Sequence, residues 1–155
     1  MNRVRIIKFR AWHTKANKMF SAEEMGEDQL MILPDGRGFI NVHGGDTALS
    51  ILHPEMIPMQ FTGLHDKNGK EIYESDIFRL EESDDNGDIV IYLVITWVKE
   101  WCMFATLRTD EYSDYLKKGI EALDEPMFWT YTLEDTDNHK YFLCGNVYAN
   151  PDLLS

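Results

Sequence analysis

Apolar and polar residues alternate along much of the chain, and this period of two predicts a mainly β protein. Residues 5–12 alternate over their whole length, with Ile7, Phe9 and Ala11 on one face. Residues 89–98 are apolar almost throughout and rich in β-branched side chains. A strand of that composition is typically covered on both faces, so this run is expected to be the central strand.

Turn signals separate the strand-like runs. Pro34-Asp35-Gly36-Arg37 lies between residues 30–33 and 38–42, which predicts a hairpin. Asn68-Gly69 and Asn86-Gly87 each predict a type I′ turn, in which both residues have positive φ and the twist matches two paired strands. Further strands are expected at residues 61–64, 71–73, 77–80, 101–107, 128–133 and 141–148.

One amphipathic helix is expected over residues 110–123. Its apolar stripe at helical spacing comprises Tyr112, Tyr115, Leu116, Ile120 and Leu123. Thr109 is the expected N-cap, because threonine there can bond the free N–H groups of the first turn. A shorter helix is expected from Ser21 into Met25. Short strands, tight turns and one main helix indicate a compact barrel or sandwich with a helical insertion.

The charge is strongly negative and unevenly placed. The chain of 155 residues has a net charge of −12, yet its first 18 residues hold six bases and no acid. In one interpretation, neighbouring acidic strands neutralise the charge of this basic stretch. In the other, Lys8, Arg10 and Trp12 form a binding face that combines charge with an aromatic ring, as in proteins that bind single-stranded nucleic acid.

No residue pattern for catalysis, a cofactor or a metal stands out. The five histidines are scattered, and the calcium-like loops at residues 64–69 and 82–87 lack the bidentate glutamate such a site needs. Cys102 and Cys144 are far apart and are expected to be buried free thiols in a reducing compartment. No signal peptide or membrane span is visible. The sequence therefore predicts a cytoplasmic protein that is not an enzyme and has no cofactor and no metal.

Three segments resemble the YopX family of small proteins from bacteriophages and prophages. They are IIKFRAW at residues 6–12, MQFTGLHDKNGKEIYESDI at 59–77 and GNVYANPDLL at 145–154. They occur in the family's order. Three departures are visible, since His13 replaces an aspartate, Ser75 a glycine and Cys144 an aliphatic residue. If position 75 requires positive φ, serine costs more free energy there than glycine.

The resemblance implies a fold but no activity. It implies an SH3-like small β-barrel core over residues 57–155, with a helix near 110–123. Residues 1–56 would be an N-terminal strand or hairpin extension, within one domain spanning 1–155. No catalytic residue, cofactor or ligand is established for the family, and its motifs are well explained by folding: Asp76, for example, is expected to cap a turn before a strand.

The favoured hypothesis is a phage or prophage accessory protein in the host bacterial cytoplasm. It would act as a non-catalytic module that binds a host or phage protein, and it would have no membrane role. The sequence does not predict its oligomeric state. One alternative is a nucleic-acid-binding protein that uses Lys8, Arg10 and Trp12, which the net charge disfavours. Another is an acidic mimic of DNA that inhibits a host protein. Its carboxylates would be Glu81, Glu82, Asp84, Asp85, Asp88, Glu134, Asp135 and Asp137.

Overall fold

The computed structural model describes residues 6–35, 37–41, 51–84, 87–123 and 139–154. The strands within these ranges are β1 (Phe9–His13), β2 (Lys18–Phe20), β3 (Leu30–Ile32), β4 (Phe39–Asn41), β5 (Ile51–His53), β6 (Met56–His65), β7 (Glu71–Tyr73), β8 (Asp76–Asp84), β9 (Gly87–Val98), β10 (Met103–Arg108) and β11 (His139–Asn146). The helices are α1 (Ala22–Glu27) and α2 (Thr109–Lys118), with 3-10 turns at Gly119–Ala122 and Pro151–Leu154.

The protein is mainly β, as predicted, and one of its sheets is curled into a half-barrel. The SH3-like character of that barrel stays a prediction. The chain divides into two compact units, residues 1–61 and 62–155. This boundary falls five residues after the one expected between the N-terminal extension and the core. That the whole chain forms one domain also stays a prediction.

Two small antiparallel sheets build the first unit. In one, β1 lies between β2 and the first half of β6, with Ala11 opposite both Phe20 and Pro58. In the other, β4 lies between β3 and β5, which confirms the hairpin predicted around Pro34-Asp35-Gly36-Arg37. A shared cluster of apolar side chains forms the core of this unit. Its buried members are Ala11, Met25, Phe39 and Met56.

Helix α1 confirms the short helix predicted from Ser21. The Ser21 backbone N–H donates to Glu24 Oε2 at 2.9 Å, and the Glu24 N–H donates to Ser21 Oγ at 3.1 Å. This reciprocal pair is a capping box, which satisfies two of the free N–H groups of the first turn. Met25 is buried on the inner side of the helix. The cap fixes where the helix begins, and the helix ends at Glu27, which is one of the residues that line the cavity described below.

The second unit is built on the antiparallel sheet β10-β9-β8-β11. Strand β9 pairs on both sides and is therefore central, as predicted. The expectation that the run at 89–98 is covered on both faces throughout is wrong, since Ile89 is 50% and Val90 45% exposed. Among the described residues, α2 and the two 3-10 turns contribute side chains to the clusters around Val94 and Val98, which are fully buried.

Helix α2 occupies the predicted place, with two differences in detail. The helix begins at Thr109, so the N-cap is Arg108 and not Thr109; the Arg108 N–H donates to Glu111 Oε2 at 2.8 Å. Four of the five stripe residues pack on the sheet, whereas Leu116 is 66% exposed. The helix ends at Lys118, so the contacts of Ile120 and Leu123 with the sheet come from the 3-10 turn that follows and from the residue after it.

The type I′ turn expected at Asn68-Gly69 is wrong. Gly69 has φ +80°, but Asn68 does not have positive φ. The side chain of Asp66 shapes this loop instead, because its Oδ1 accepts hydrogen bonds from the N–H groups of Asn68 (2.9 Å) and Lys70 (2.8 Å). The other predicted turn involves Asn86, which lies outside the described residues, while Gly87 pairs with Asp84 as part of β9. The strand predicted at 128–133 also lies outside them.

Candidate functional site

An open cavity of about 500 Å³ lies in the first unit. Strands β1 to β6 and the residues that follow α1 contribute to its walls. Its lining comprises His13, Phe20, Glu27, Asp28, Gln29, Leu30, Asn41, His53 and Met56. This volume falls within the range of small-molecule and side-chain binding pockets. We refer to this feature as the first-unit cavity.

The lining of the first-unit cavity combines apolar and acidic side chains. Phe20, Leu30 and Met56 supply apolar surface and belong to or pack against the core of the first unit. Glu27 and Asp28 follow one another at the end of α1 and are both exposed. A ligand that fits this lining therefore has an apolar part and a polar part, and the acidic pair favours positive charge.

Two imidazoles contact one carboxylate beside the first-unit cavity. His53 Nδ1 lies 3.3 Å and His13 Nε2 lies 3.8 Å from Glu55 Oε1. The pKa of Glu55 is lowered, first by a hydrogen bond from its own backbone N–H and then by His53. In the tautomer that donates a hydrogen bond from His53 Nδ1 to this carboxylate, Nε2 is the acceptor. His53 Nε2 is buried and has no hydrogen-bond partner.

A second buried acceptor lies on Asn41. Its Nδ2 donates to the backbone oxygen of Asp28 at 3.1 Å, which fixes the orientation of the amide. Its Oδ1 is buried and has no hydrogen-bond partner. Buried polar atoms in proteins are nearly always paired, so a donor, either a water molecule or a group of a ligand, is expected to pair with these two acceptors. Neither atom belongs to the core packing of the unit.

The lining of the first-unit cavity offers imidazole, carboxylate and amide groups. Among the described residues that line it there is no cysteine, serine, threonine or lysine to act as a nucleophile. In the described part of the chain, no group of three or more His, Cys, Asp or Glu side chains is placed to hold a metal ion. The residues present offer hydrogen-bond acceptors, negative charge and apolar surface.

The three residues predicted to bind nucleic acid lie on or next to β1, and none lines the first-unit cavity. Lys8 Nζ lies 2.8 Å from Glu23 Oε1, so an acid neutralises this base locally. Trp12 is only 6% exposed, and its ring does not form an open stacking surface. Arg10 is half-buried. A binding role for Lys8, Arg10 and Trp12 stays a prediction.

The acids proposed to mimic DNA lie only partly within the described residues. Glu81 and Glu82 are neighbours on β8 and therefore point to opposite faces of the sheet. Glu81 also pairs with Arg79 at 2.7 Å. Asp85, Glu134, Asp135 and Asp137 lie outside the described residues. Asp88 on β9 pairs with Ser83 and therefore shares a face with Glu81, whereas Glu82 lies on the other face. These three acids do not form one surface.

Both cysteines are free, but the expectation that they are buried is wrong, because both are exposed. Cys102 lies in the turn between β9 and β10 with φ +52°, not inside a strand. Cys144 lies at a register shift of the edge strand β11, where its Sγ contacts the Ile77 backbone oxygen at 3.3 Å. Partial desolvation raises the pKa of the Cys144 thiol, which lowers its reactivity as a nucleophile.

The long middle motif and the closing motif meet in the second unit and serve the fold. Asp76 is 2% exposed and its Oδ2 accepts a hydrogen bond from the Tyr73 N–H at 2.8 Å, which confirms the predicted cap. Ser75 has φ +69°. Its N–H donates to the Ile95 oxygen, and its oxygen accepts from the Val147 N–H. These segments therefore join β7, β8 and β9 to the end of β11.

The sequence did not reveal the first-unit cavity. Its lining comes from six separate stretches of residues 13–56. The two residues with unpaired acceptors, Asn41 and His53, do not belong to one short motif. The one signal was His13, which stands where the resemblance leads us to expect an aspartate. Within the described residues no helix is long and apolar enough to cross a membrane.

Comparison with known proteins places the chain in a family. The model of the family described as YopX protein matches residues 8–155. No curated protein matches the chain. Among solved structures, the crystal structure of protein EF1440 from Enterococcus faecalis is similar over 98% of this chain and 100% of that one, with 22% identity and a TM-score of 0.60, which shows a shared fold. The chain belongs to the YopX family.

Proposed function

We propose that this chain is a phage or prophage accessory protein that acts without catalysis, by binding another protein in the bacterial cytoplasm. The observation that carries the proposal is the first-unit cavity, where apolar surface, two exposed acids and two unpaired buried acceptors occur together. Such a lining suits a side chain that projects from a partner's surface, because an anchor of this kind needs both apolar contact and hydrogen bonds.

The net charge of −12 supports a partner whose contacting surface is basic. Complementary charge speeds association and excludes partners of like charge, even where it adds little to the affinity. It also opposes the approach of a phosphate backbone. Together with the Lys8–Glu23 pair and the burial of Trp12, this leaves nucleic acid without a specific supporting observation.

The experiment is affinity capture from a host lysate at physiological salt, followed by purification of the captured protein. Isothermal titration of the two purified proteins should then give a stoichiometric complex. Its affinity should fall as salt rises, because basic and acidic surfaces attract each other less when screened. Failure to obtain a stoichiometric complex with any candidate would contradict the proposal.

A catalytic role is tested separately with the variant His53→Gln, which replaces the imidazole beside Glu55. A screen for hydrolase and nuclease activity should show the same background for this variant and for the wild type. Turnover by the wild type that His53→Gln abolishes would overturn the non-catalytic part of the proposal, since the imidazole and carboxylate would then act as an acid–base pair.

A further inference from the structure

We infer that the first-unit cavity binds the guanidinium of an arginine side chain presented by the partner protein. The inference rests on the proposed function and adds to it the chemical identity of the anchor. Asn41 and His53 line the cavity, and each carries one buried acceptor without a partner, Oδ1 and Nε2. A group that pairs with both atoms donates more than one hydrogen bond.

Glu55 and Asp28 assign these acceptor roles. Asn41 uses its amide nitrogen on the Asp28 backbone oxygen at 3.1 Å, so the free atom is the carbonyl oxygen. His53 faces Glu55 through Nδ1 at 3.3 Å, and the lowered pKa of Glu55 keeps that carboxylate ionised and able to accept. A hydroxyl or carboxylate ligand would leave at least one of the two acceptors unpaired, which costs free energy in a buried place.

The charge around the cavity favours a cation. Glu27 and Asp28 line it, and in the described part of the chain no lysine or arginine forms an ion pair with either. Lys18 contacts the lining residue Phe20, with its Nζ 4.4 Å from the ring centroid, and it is paired with Glu24 at 3.0 Å. A bound cation therefore meets two carboxylates whose charge is available.

Arginine fits this lining better than lysine. Its planar guanidinium carries five N–H donors in a fixed fork and can reach acceptors on two different side chains at once. Lysine donates from a single nitrogen. The three methylenes of arginine can lie along Phe20, Leu30 and Met56, because long cationic side chains bury their stems on apolar surface and keep the charged end polar.

The test is an NMR titration of the full ¹⁵N-labelled chain with the blocked tripeptide Gly-Arg-Gly. Saturable shifts should appear at residues 13, 27–30, 41 and 53–56, with dissociation in the millimolar range expected of a single side chain, roughly 1 mM. The matched probe contains citrulline, which has the same shape without the charge. It should bind at least about tenfold more weakly, and the lysine peptide should fall between the two.

Two variants test the lining, and one controls for charge. Asp28→Asn keeps the backbone oxygen that Asn41 needs and removes an exposed charge, so it should weaken the arginine peptide about threefold without affecting the fold. Asn41→Ala removes an acceptor and should weaken it about fivefold. Glu121→Gln, an exposed acid of the second unit, should leave the affinity unchanged. Each variant is used only if its spectrum retains the dispersed signals of the wild type.

Three results would overturn the inference. One is the absence of saturable shifts up to about 20 mM peptide, well above the expected dissociation constant. Another is equal binding of the citrulline probe. The third is tighter binding of free L-arginine than of the blocked peptide, which would point to a small-molecule site. If the captured partner binds but the arginine peptide does not displace it, the inference fails and the proposed function stands.

Discussion

Ser75 shows how one residue can be strained where a motif requires a particular backbone. Its φ of +69° is the conformation that the family's usual glycine adopts without cost, and a Cβ there costs about 1 kcal/mol. Ser75→Gly should therefore be about 1 kcal/mol more stable than Ser75→Ala in urea unfolding. Both variants lack the hydroxyl that contacts Tyr148, so the difference between their free energies of unfolding measures the backbone strain alone. Equal stabilities would mean that the strain is absent.

Gly145 is required for space and not for its backbone angles. A Cβ at this position would collide with the side chain of Asn150, whose Oδ1 accepts from the Asn146 N–H at 3.2 Å. Gly145→Ala should destabilise the protein by about 1–3 kcal/mol, as overpacking does. In an Asn150→Gly background the same change should cost far less, and a double-mutant cycle measures this coupling.

A matched control for Gly145 lies in α1. No atom lies within 4 Å of a Cβ built on Gly26, so Gly26→Ala should stabilise the protein slightly, by up to about 1 kcal/mol, through helix propensity. A destabilising Gly26→Ala, or additive effects at Gly145 and Asn150, would contradict the packing interpretation.

The ion pair of Lys8 with Glu23 can be measured directly. It holds the pKa of Glu23 at about 2, chiefly through the hydrogen bond from Lys8. Because this pKa is lowered, the ion pair stabilises the fold fully at pH values above the ordinary pKa of 4.5, and this stabilisation is lost as the pH falls toward about 2. Lys8→Met should raise the pKa of Glu23 in an NMR pH titration, whereas Lys18→Met, whose ammonium binds Glu24, should leave it unchanged.

At the scale of elements, the sequence pattern correctly predicted the features that depend on a few neighbouring residues. The hairpin at Pro34-Asp35-Gly36-Arg37, the cap at Ser21 and the central place of β9 all follow from a few neighbouring residues. The errors arose where a neighbouring side chain or the packing of an element on the sheet decides. Leu116 matched the helical stripe, but α2 packs on the sheet through Tyr112 and Tyr115, and Leu116 is 66% exposed. At Asn68-Gly69 the Asp66 side chain overrode the turn preference of the dipeptide.

The two halves of β9 should respond differently to one substitution. Val94 is fully buried, so Val94→Asp places a carboxylate in the core at a cost of several kcal/mol and should unfold the protein, given a total stability of roughly 5–15 kcal/mol. Val90 lies on the same face and is 45% exposed. Val90→Asp should cost about 1 kcal/mol or less, mainly because Glu81 stands opposite it. Circular dichroism melts compare the two, and similar melting temperatures would contradict this assignment.

At the scale of the molecule, the candidate site could not be predicted from the sequence, because residues that are far apart along the chain form it only after folding. Asn41 and His53 lie on β4 and β5, and His13 lies on β1. Nothing in their spacing marks them as neighbours, and unpaired acceptors are visible only when every hydrogen bond is known. The motifs that carry the family resemblance lie elsewhere, in segments around Ser75 and Gly145 that hold strands together.

The net charge of −12 makes a prediction for the molecule as a whole. Like charges in a compact chain repel one another, and salt screens this repulsion over about 10 Å at 0.1 M. Salt also weakens the attractive pairs, such as Lys8–Glu23 and Lys118–Asp114, but these are largely exposed and each contributes little. The effect of salt on the repulsion between like charges should therefore exceed its effect on the attractive ion pairs. Raising sodium chloride from about 20 mM to about 500 mM at pH 7 should increase the melting temperature by about 2–4 °C, which corresponds to about 1 kcal/mol.

The isoelectric point supplies the control for this salt effect. Near pH 4.7 the net charge is close to zero, so the repulsive contribution vanishes while the attractive pairs persist. The same addition of salt should then leave the melting temperature unchanged or lower it slightly, because only attraction remains to be screened. A rise of equal size at both pH values would show that salt acts through apolar burial and not through charge, and the net charge would then not limit the stability of this fold.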